Sequence, residues 1–242
     1  PPNVRLACQT EVVADCEVTP LLPATAGPAL ARPRPGYLQG DERHIAILFA
    51  DLRGFTTLSE DRLPYDVVFV LNRYFTAMGT AVEQAGGRID KFIGDGVMAL
   101  FGIEQGIEQG SRNALEAARR MAQSLDELNR SLAHDLPEPL RIGIGLHSGA
   151  VIVGEMGYGR ATSLTAIGDA VNTASRLEAM TKEFGAQLIV SAPLAGHAGI
   201  DLAAFPRHQI DLRGRSQQLE VHVVQSALDL PPAAAAPVRA AE

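Results

Sequence analysis

Cysteine and tryptophan are nearly missing from this sequence, and so are long apolar runs. Cys8 and Cys16 are the only cysteines, and there is no tryptophan. Two thiols are too few for the disulfide framework of a small secreted domain, so we expect a reducing, cytoplasmic location. No apolar stretch approaches the roughly 20 residues that a membrane-spanning helix needs. We therefore expect no membrane segment in this chain.

Positive charge is also in short supply. Lysine and arginine number 21 against 28 acidic residues, and the net charge is −7. This balance argues against nucleic acid as the main partner, although one site can still be locally basic and bind an anion. Apolar residues make up 46% of 242 positions. That is enough for a sizeable core, and it excludes a wholly disordered chain.

The composition divides the chain into segments. Residues 25–40, "TAGPALARPRPGYLQG", are rich in Pro, Gly and Ala and predict a linker. Residues 41–226 form the predicted domain, and residues 227–242, "ALDLPPAAAAPVRAAE", predict a disordered tail. Residues 1–24 precede the linker. Because the chain starts Pro-Pro without a methionine, we expect it to be a fragment of a longer protein.

Hydrophobic periodicity in residues 41–226 predicts alternating strands and helices. The strands are "HIAILFADL", the two arms of the hairpin "RIDKFIGDGVMALFG", "LRIGIGLHSGAVIVGEM" (one strand or a bent pair), "AQLIVS", and two around Arg-Gly-Arg in "HQIDLRGRSQQLEVHVV". Helices are expected at 64–85, 111–133 and 169–184. The first carries an apolar stripe of Val67, Leu71, Tyr74, Met78 and Val82. This order predicts an α+β sandwich of the ferredoxin-like type, with a mostly antiparallel sheet and helices on one face.

Two aspartates fall at predicted strand ends. Asp51 ends the first strand and is followed by Gly54, and Asp95 lies at the tip of the hairpin. Taken singly, Asp51 could cap a helix that begins near Thr56, and Asp95 could be an ordinary turn residue. If their strands are neighbours, both carboxylates lie at one sheet edge, as a two-metal phosphoryl-transfer site requires.

Several basic and amide residues are candidates for phosphate or ribose binding. Asn172 and Arg176 are four residues apart on a predicted helix and share a face. Arg141 precedes a strand, and Arg215 lies in a turn between strands. Each is an ordinary surface residue when considered alone, but arginine is also the usual forked donor to phosphate.

Four segments, "FADLRGFTTLSE", "DKFIGDGVMALFG", "RIGIGLHSGAVIVGEMG" and "IGDAVNTASRLE", follow one another along the chain. In this order they resemble the catalytic domain of class III nucleotide cyclases over residues 41–224. The resemblance implies the nucleotide cyclase version of the ferredoxin-like sandwich. It also implies conversion of ATP to 3′,5′-cyclic AMP and pyrophosphate, two Mg²⁺ or Mn²⁺ ions per site, and a homodimer with two shared sites.

The resemblance also assigns roles to individual residues. It implies that Asp51 and Asp95 bind the metal ions, with a backbone carbonyl of Leu52 between them, and that Lys91 and Thr165 recognise the base. It further implies that Asn172 holds the ribose, Arg176 stabilises the transition state, and Arg141 and Arg215 contact the phosphates.

Two positions depart from the usual family pattern. Thr165 stands where aspartate is common, which resembles a threonine-containing subgroup of adenylate cyclases in which bicarbonate stimulation is frequent. Arg215 lies in Arg-Gly-Arg, where the family often has Lys-Gly-Lys. Alternatives remain: a catalytically silent nucleotide-binding signalling domain, or a guanylate or dinucleotide cyclase.

The N-terminal stretch "RLACQTEV" resembles the last ligand segment of a plant-type 2Fe–2S ferredoxin, with Cys8 as the final ligand. An ordinary small buried cysteine is the alternative. Such a cluster needs four thiolates, so this fragment alone is not expected to bind one. We expect residues 1–24 to be the end of a ferredoxin-like domain. The sequence leaves open a membrane anchor that keeps the cyclase domain on the cytoplasmic side.

Overall fold

A computed structural model of the chain describes residues 40–55, 59, 62–158, 161–211 and 218–231. The chain divides into residues 1–35 and 36–242, and the described residues belong to the second unit. Several predictions lie outside the described residues. They are the ferredoxin-like remnant with Cys8 and Cys16, residues 25–39 of the linker, the helix start near Thr56, the phosphate-binding role of Arg215, and residues 232–242 of the tail. In the described part, no helix has both the length and the apolar character needed to cross a bilayer.

The described elements alternate along the chain and form one large sheet. The strand order is β2-β3-β1-β4-β6-β8-β7, with β5 also paired to β4. The β4–β6 pair is parallel and the other described pairs are antiparallel. The elements are β1 (Asp41–Leu52), α1 (Pro64–Gln84), β2 (Arg88–Ile93), β3 (Gly96–Phe101), α2 (Ile107–Ser131), β4 (Ile142–Tyr158), β5 (Ala161–Ile167), α3 (Asp169–Met180), β6 (Leu188–Ser191), α4 (Ala192–Ala198), β7 (Arg207–Ile210) and β8 (Leu219–Val224).

This architecture confirms the predicted mostly antiparallel α+β fold. The apolar stripe of α1 faces the core: Tyr74, Met78 and Val82 have no solvent exposure. Each large side chain buried in this way contributes roughly 1.5–3 kcal/mol. Two elements, β5 and α4, were not predicted, because each is short and its sequence has no clear period of its own.

The helices lie on both faces of the sheet, so the prediction that they share one face is wrong. Helices α1, α2 and α4 pack on one face of the sheet, in a core that includes Leu48 of β1. Helix α3 packs on the opposite face, where its Ala170 and Ala174 join Ile45 and Ile47 of β1 in a second cluster. Sequence periodicity identifies the buried side of a helix but not the sheet face that receives it.

Glycines on β4 allow α3 to approach the sheet closely. A Cβ atom added at Gly145 would lie 2.2 Å from the backbone nitrogen of Glu178 and 2.4 Å from the carbonyl oxygen of Ala174. At Gly149 it would lie 2.9 Å from the Cβ of Ala170. The alternating glycines of "RIGIGLHSG" therefore hold the backbone of α3 against the strand.

The start of the expected tail is part of the folded domain. Residues Ala227–Asp229 form a 3₁₀ helix, and both Ala227 and Leu230 are buried in the main core. The domain therefore extends beyond residue 226 to about Leu230. Residues 232–242 lie outside the described part of the chain.

Candidate active site

The sheet brings the two predicted metal-binding aspartates together. Asp51 is near the end of β1, Asp95 lies in the β2–β3 turn, and β1 and β3 are neighbours, with Ala50 opposite Val97. The two carboxyl groups are close enough to interact with each other. The pKa of Asp51 is raised to about 6, mainly by burial and then by the negative charges of Asp95 and Glu178. This concentration of negative charge at a sheet edge favours a bound cation.

The two glycines around Asp95 explain why the turn reads Gly-Asp-Gly. Gly94 has a φ of +62°, which side-chain-bearing residues rarely adopt. A Cβ at Gly96 would lie 3.3 Å from Oδ1 of Asp51 and 3.1 Å from the carbonyl oxygen of Ile93. The turn therefore needs glycine on both sides to bring Asp95 to Asp51.

An ion pair between Arg53 and Glu178 lies next to the aspartates and was not predicted from the sequence. Nη2 of Arg53 lies 3.0 Å from Oε1 of Glu178 and donates to the Glu178 carbonyl oxygen at 3.1 Å, and it also contacts the hydroxyl of Thr181. Burial raises the pKa of Glu178, while the nearby guanidinium of Arg53 opposes that rise. Arg53 follows Asp51 by two positions, and Glu178 follows Arg176 by two. The sequence signal that could have pointed to this pair was therefore that each partner lies two positions from a predicted site residue.

This ion pair connects the end of β1 to α3, which carries Asn172 and Arg176. Asn172 is exposed and Arg176 is half-buried, so both are accessible for a ligand. Arg141 is exposed at the same edge as Asp51, where its carbonyl oxygen accepts from the backbone N–H of Arg53 at 2.7 Å. The structure therefore brings this predicted phosphate-binding arginine to the edge that bears the carboxylates.

Leu52 can contribute only through its backbone. Its side chain is packed in the main core and is 5% exposed. Its N–H donates a hydrogen bond to the carboxylate of Asp51 and lowers the pKa of that group, against the larger effects that raise it. Among the described residues, no cluster of three or more His, Cys, Asp or Glu side chains is arranged to hold a metal ion. Asp51 and Asp95 are therefore the candidate metal ligands at this edge, and they number two.

The two predicted base-recognising residues meet at the junction of β2 and β5. Nζ of Lys91 donates to Oγ1 of Thr165 at 3.0 Å. Thr165 is 5% exposed, whereas the side chain of Lys91 is 43% exposed. Sequence reasoning missed a third member, Asp90, whose Oδ2 lies 3.1 Å from Nζ of Lys91 and 2.9 Å from Oγ1 of Thr165.

Comparison with known proteins identifies the family of this domain. The family described as the adenylate and guanylate cyclase catalytic domain matches residues 39–226. The chain belongs to this family. Motif order, the paired aspartates and the sheet topology all agree with that membership.

Named relatives of this cyclase domain include adenylate cyclases. The adenylate cyclase of Anabaena cylindrica is 37% identical over 194 residues, which cover 76% of this chain and 37% of the relative. Adenylate cyclase 1 of Rhizobium meliloti is 33% identical over 184 residues, covering 75% of this chain and 27% of the relative. The chain thus spans about a third of the length of these relatives.

Solved structures include similar cyclases of both kinds. The guanylyl cyclase Cya2 has a TM-score of 0.70 and 34% identity, with 77% of this chain and 94% of that chain covered. The adenylyl cyclase CyaB from P. aeruginosa has a TM-score of 0.68 and 29% identity, with 80% of this chain and all of that chain covered. Similarity alone therefore does not decide between ATP and GTP.

Proposed function

We propose that this domain is an adenylate cyclase that converts ATP to 3′,5′-cyclic AMP and pyrophosphate. The observation that carries this proposal is the 3.0 Å pair of Lys91 and Thr165. Adenine presents N1 as an acceptor beside its 6-amino donor, and a lysine donor next to a hydroxyl acceptor complements that edge. Guanine presents N1–H and O6 in the opposite order. Mispairing of these groups costs about 1–3 kcal/mol.

The carboxylate pair fits two divalent cations, Mg²⁺ or Mn²⁺, as substrate-bound cofactors. Hard cations prefer oxygen ligands, and Mg²⁺ is commonly held by one or two carboxylates together with substrate phosphates. The pKa of Asp51, raised to about 6 by burial and by Asp95, indicates unbalanced negative charge at the site. When bound, such ions lower the pKa of the ribose 3′-hydroxyl and neutralise the leaving pyrophosphate.

The remaining residues bind and orient the nucleotide. In the proposed reaction the ribose 3′-oxygen forms a bond to the α-phosphorus, and the bond from that phosphorus to the pyrophosphate oxygen breaks. Asn172 would orient the ribose, and Arg176 would stabilise the charge that develops around the α-phosphorus. Arg141, at the edge that bears the aspartates, and Arg215 would bind the phosphates.

We infer that each site is shared between two copies of this chain. Lys91 and Asp95 are four residues apart on one hairpin, yet Lys91 contacts Thr165 whereas Asp95 contacts Asp51. The hairpin and its surroundings also carry exposed apolar side chains that a second copy would cover: Phe92 44%, Ile93 54%, Ile152 42% and Ile167 57% exposed. A symmetric homodimer would then form two equivalent sites, each with the aspartates of one protomer and with the base-recognising pair, Asn172 and Arg176 of the other.

Mixing two inactive variants tests the shared site. Asp51→Ala removes a metal ligand and Arg176→Ala removes the proposed transition-state contact. A heterodimer of the two variants would keep one intact site and regain up to about half of the activity of one wild-type dimer. Heterodimers shown by a two-tag pull-down that remain inactive would refute the shared arrangement.

Product identification tests the reaction itself. The domain is incubated with Mn²⁺ and either ATP or GTP, and the products are identified by mass spectrometry. Cyclic AMP in excess over cyclic GMP supports the proposal. Similarity to the guanylyl cyclase Cya2 at 34% identity favours cyclic GMP as the second candidate. A dinucleotide product, or no product from either nucleotide, would overturn the proposal in favour of a different cyclase or a silent nucleotide-binding domain.

We place the domain in the threonine-containing subgroup of adenylate cyclases because Thr165 occupies the second base-selecting position, and we propose a cytoplasmic location. For the longer protein we propose an upstream 2Fe–2S domain, supported by the segment around Cys8. A full-length protein without iron–sulfur absorbance would refute that part.

A further inference from the structure

Asp90 is held in a closed triangle of polar contacts with Lys91 and Thr165. Its Oδ2 accepts from Oγ1 of Thr165 at 2.9 Å and lies 3.1 Å from Nζ of Lys91, while Nζ donates to Oγ1 at 3.0 Å. The side chain of Asp90 has no solvent exposure. A buried carboxylate in direct contact with both residues that recognise the base influences what those residues can offer to a ligand.

A β-bulge makes the triangle possible. In a regular strand, neighbouring residues point to opposite faces. The β2–β3 register runs from Ile89 opposite Ala99 to Lys91 opposite Met98, and Asp90 is the extra residue. Both Asp90 and Lys91 therefore reach Thr165 on β5. Bulges of this kind commonly redirect side chains next to active sites.

Asp90 decides which way the hydroxyl hydrogen of Thr165 points. A threonine hydroxyl can donate one hydrogen bond and accept two, whereas an ionised carboxylate can only accept. The hydroxyl hydrogen of Thr165 must therefore point to Asp90. One lone pair of Oγ1 accepts from Lys91, and the other remains for a ligand. Of the three ammonium hydrogens of Lys91, one faces Asp90 and one faces Thr165, so one remains for a ligand.

We propose that Asp90 is a positioning residue that determines base specificity by fixing the hydroxyl of Thr165 as an acceptor. With Asp90 in place, the pair offers one donor on Lys91 and one acceptor on Thr165, which complements the N1 and 6-amino groups of adenine. Without it, the hydroxyl can rotate and donate to O6 of guanine. This inference rests on the proposed function, since it assumes that Lys91 and Thr165 recognise the base.

The second carboxylate oxygen of Asp90, Oδ1, also favours adenine over guanine. Oδ1 is buried and has no hydrogen-bond partner among the described residues. A buried carboxylate oxygen without a donor adds negative potential near Thr165. That potential favours the amino group of adenine and opposes the electronegative O6 of guanine.

The primary experiment compares Asp90→Asn with the wild type. An amide can donate through its nitrogen, so it no longer forces the hydroxyl of Thr165 to be the donor. We expect the ratio of kcat/KM for GTP to kcat/KM for ATP to rise about tenfold or more in Asp90→Asn. The control is Asp126→Asn, a charge-matched change at an exposed position on α2, which should leave the ratio unchanged. An unchanged ratio in Asp90→Asn would overturn the inference.

Two further variants separate positioning from a structural role. Thr165→Val removes the hydroxyl, so adding Asp90→Asn to it should not alter the nucleotide ratio further. The double variant Asp90→Asn/Thr165→Asp should regain the preference for ATP, because a carboxylate at position 165 accepts without help and the new amide can donate to it. A merely structural Asp90 would instead lower the rates with ATP and GTP equally, together with thermal stability, and the double variant would restore neither.

Binding measurements keep this inference distinct from the proposed function. Competition between 3′-deoxy-ATP and 3′-deoxy-GTP, which lack the attacking 3′-hydroxyl, gives the base preference without turnover. If the wild type makes no cyclic AMP but prefers ATP in a way that Asp90→Asn abolishes, the proposed reaction fails and the role of Asp90 stands. If the wild type makes cyclic AMP and Asp90→Asn keeps the wild-type preference in both assays, the role of Asp90 fails. A wild type that binds both nucleotides equally overturns the inference as well.

Discussion

Replacing Asp51 with asparagine should stabilise the metal-free domain while it abolishes the proposed activity. In the folded state the carboxyl of Asp51 is crowded by burial, by Asp95 and by Glu178, which raises its pKa from 3.8 to about 6. Asparagine has nearly the same shape and can donate a hydrogen bond to Asp95. The substitution therefore removes a repulsion and leaves the packing in place.

The size of the effect follows from the pKa of Asp51. A rise from 3.8 to about 6 corresponds to about 3 kcal/mol at neutral pH if the whole difference is transmitted to folding. Because Asp51 is only half-buried, solvent screening reduces this, and we expect about 1–2 kcal/mol. For a domain of this size that is a rise in Tm of about 3–6 °C.

The raised pKa of Asp51 also determines how the stability difference between wild type and Asp51→Asn changes with pH. A carboxyl whose pKa is higher in the folded state binds its proton more tightly when folded, so the wild type loses stability as the pH rises from about 4 to about 6. The advantage of Asp51→Asn is therefore full above about pH 6.5, about half as large at pH 5, and absent below about pH 4.

The assay is thermal unfolding in EDTA at pH 7.5 and at pH 5, at one protein concentration so that dimerisation is held constant. The exposed Asp126→Asn serves as the matched control and should leave Tm unchanged. The reasoning fails if Asp51→Asn is no more stable than the wild type at pH 7.5, or if its gain is the same at both pH values.

Three further predictions concern the same site and its support. The affinity for Mn²⁺, measured by calorimetry, should fall by up to about tenfold per pH unit below about pH 6, because protons compete with the metal ion for Asp51. A constant affinity from pH 7.5 to 5.5 would contradict this prediction. Gly145→Ala should lower the free energy of unfolding in urea by about 1–3 kcal/mol and lower the activity, because its Cβ would meet the backbone of α3. The control Gly196→Ala, which has open space around it, should be neutral or stabilising. Equal effects of the two substitutions would be evidence against close packing at Gly145. Arg53→Ala should destabilise the domain by roughly 1–3 kcal/mol, because it leaves Glu178 buried without its cation; adding Glu178→Gln should recover part of the loss, and no recovery would refute the ion pair as the cause.

Sequence alone predicted the fold class and picked out two residue pairs that the structure brings together, Asp51 with Asp95 and Lys91 with Thr165. Short-range patterns carry that information: the alternation in "HIAILFADL", the helical stripe through Tyr74 and Met78, and Gly-Asp-Gly at the hairpin tip are all local. The motif blocks supplied Lys91 and Thr165 as a pair, and the structure places them 3.0 Å apart. Their roles in recognising a base remain proposals.

Tertiary structure decided what depends on contacts between distant segments. The spacing of Asn172 and Arg176 indicated that they share one face of α3, but only the packing of Ala170 and Ala174 with Ile45 and Ile47 shows that this helix lies on the sheet face opposite α1. The ion pair of Arg53 and Glu178 joins residues 125 positions apart. Asp90 is the clearest case: in a regular strand it would point away from its neighbour Lys91, and a single bulge turns both toward Thr165. No local pattern predicts that bulge, since it arises from the pairing of β2 with β3 and from the position of β5 beside them.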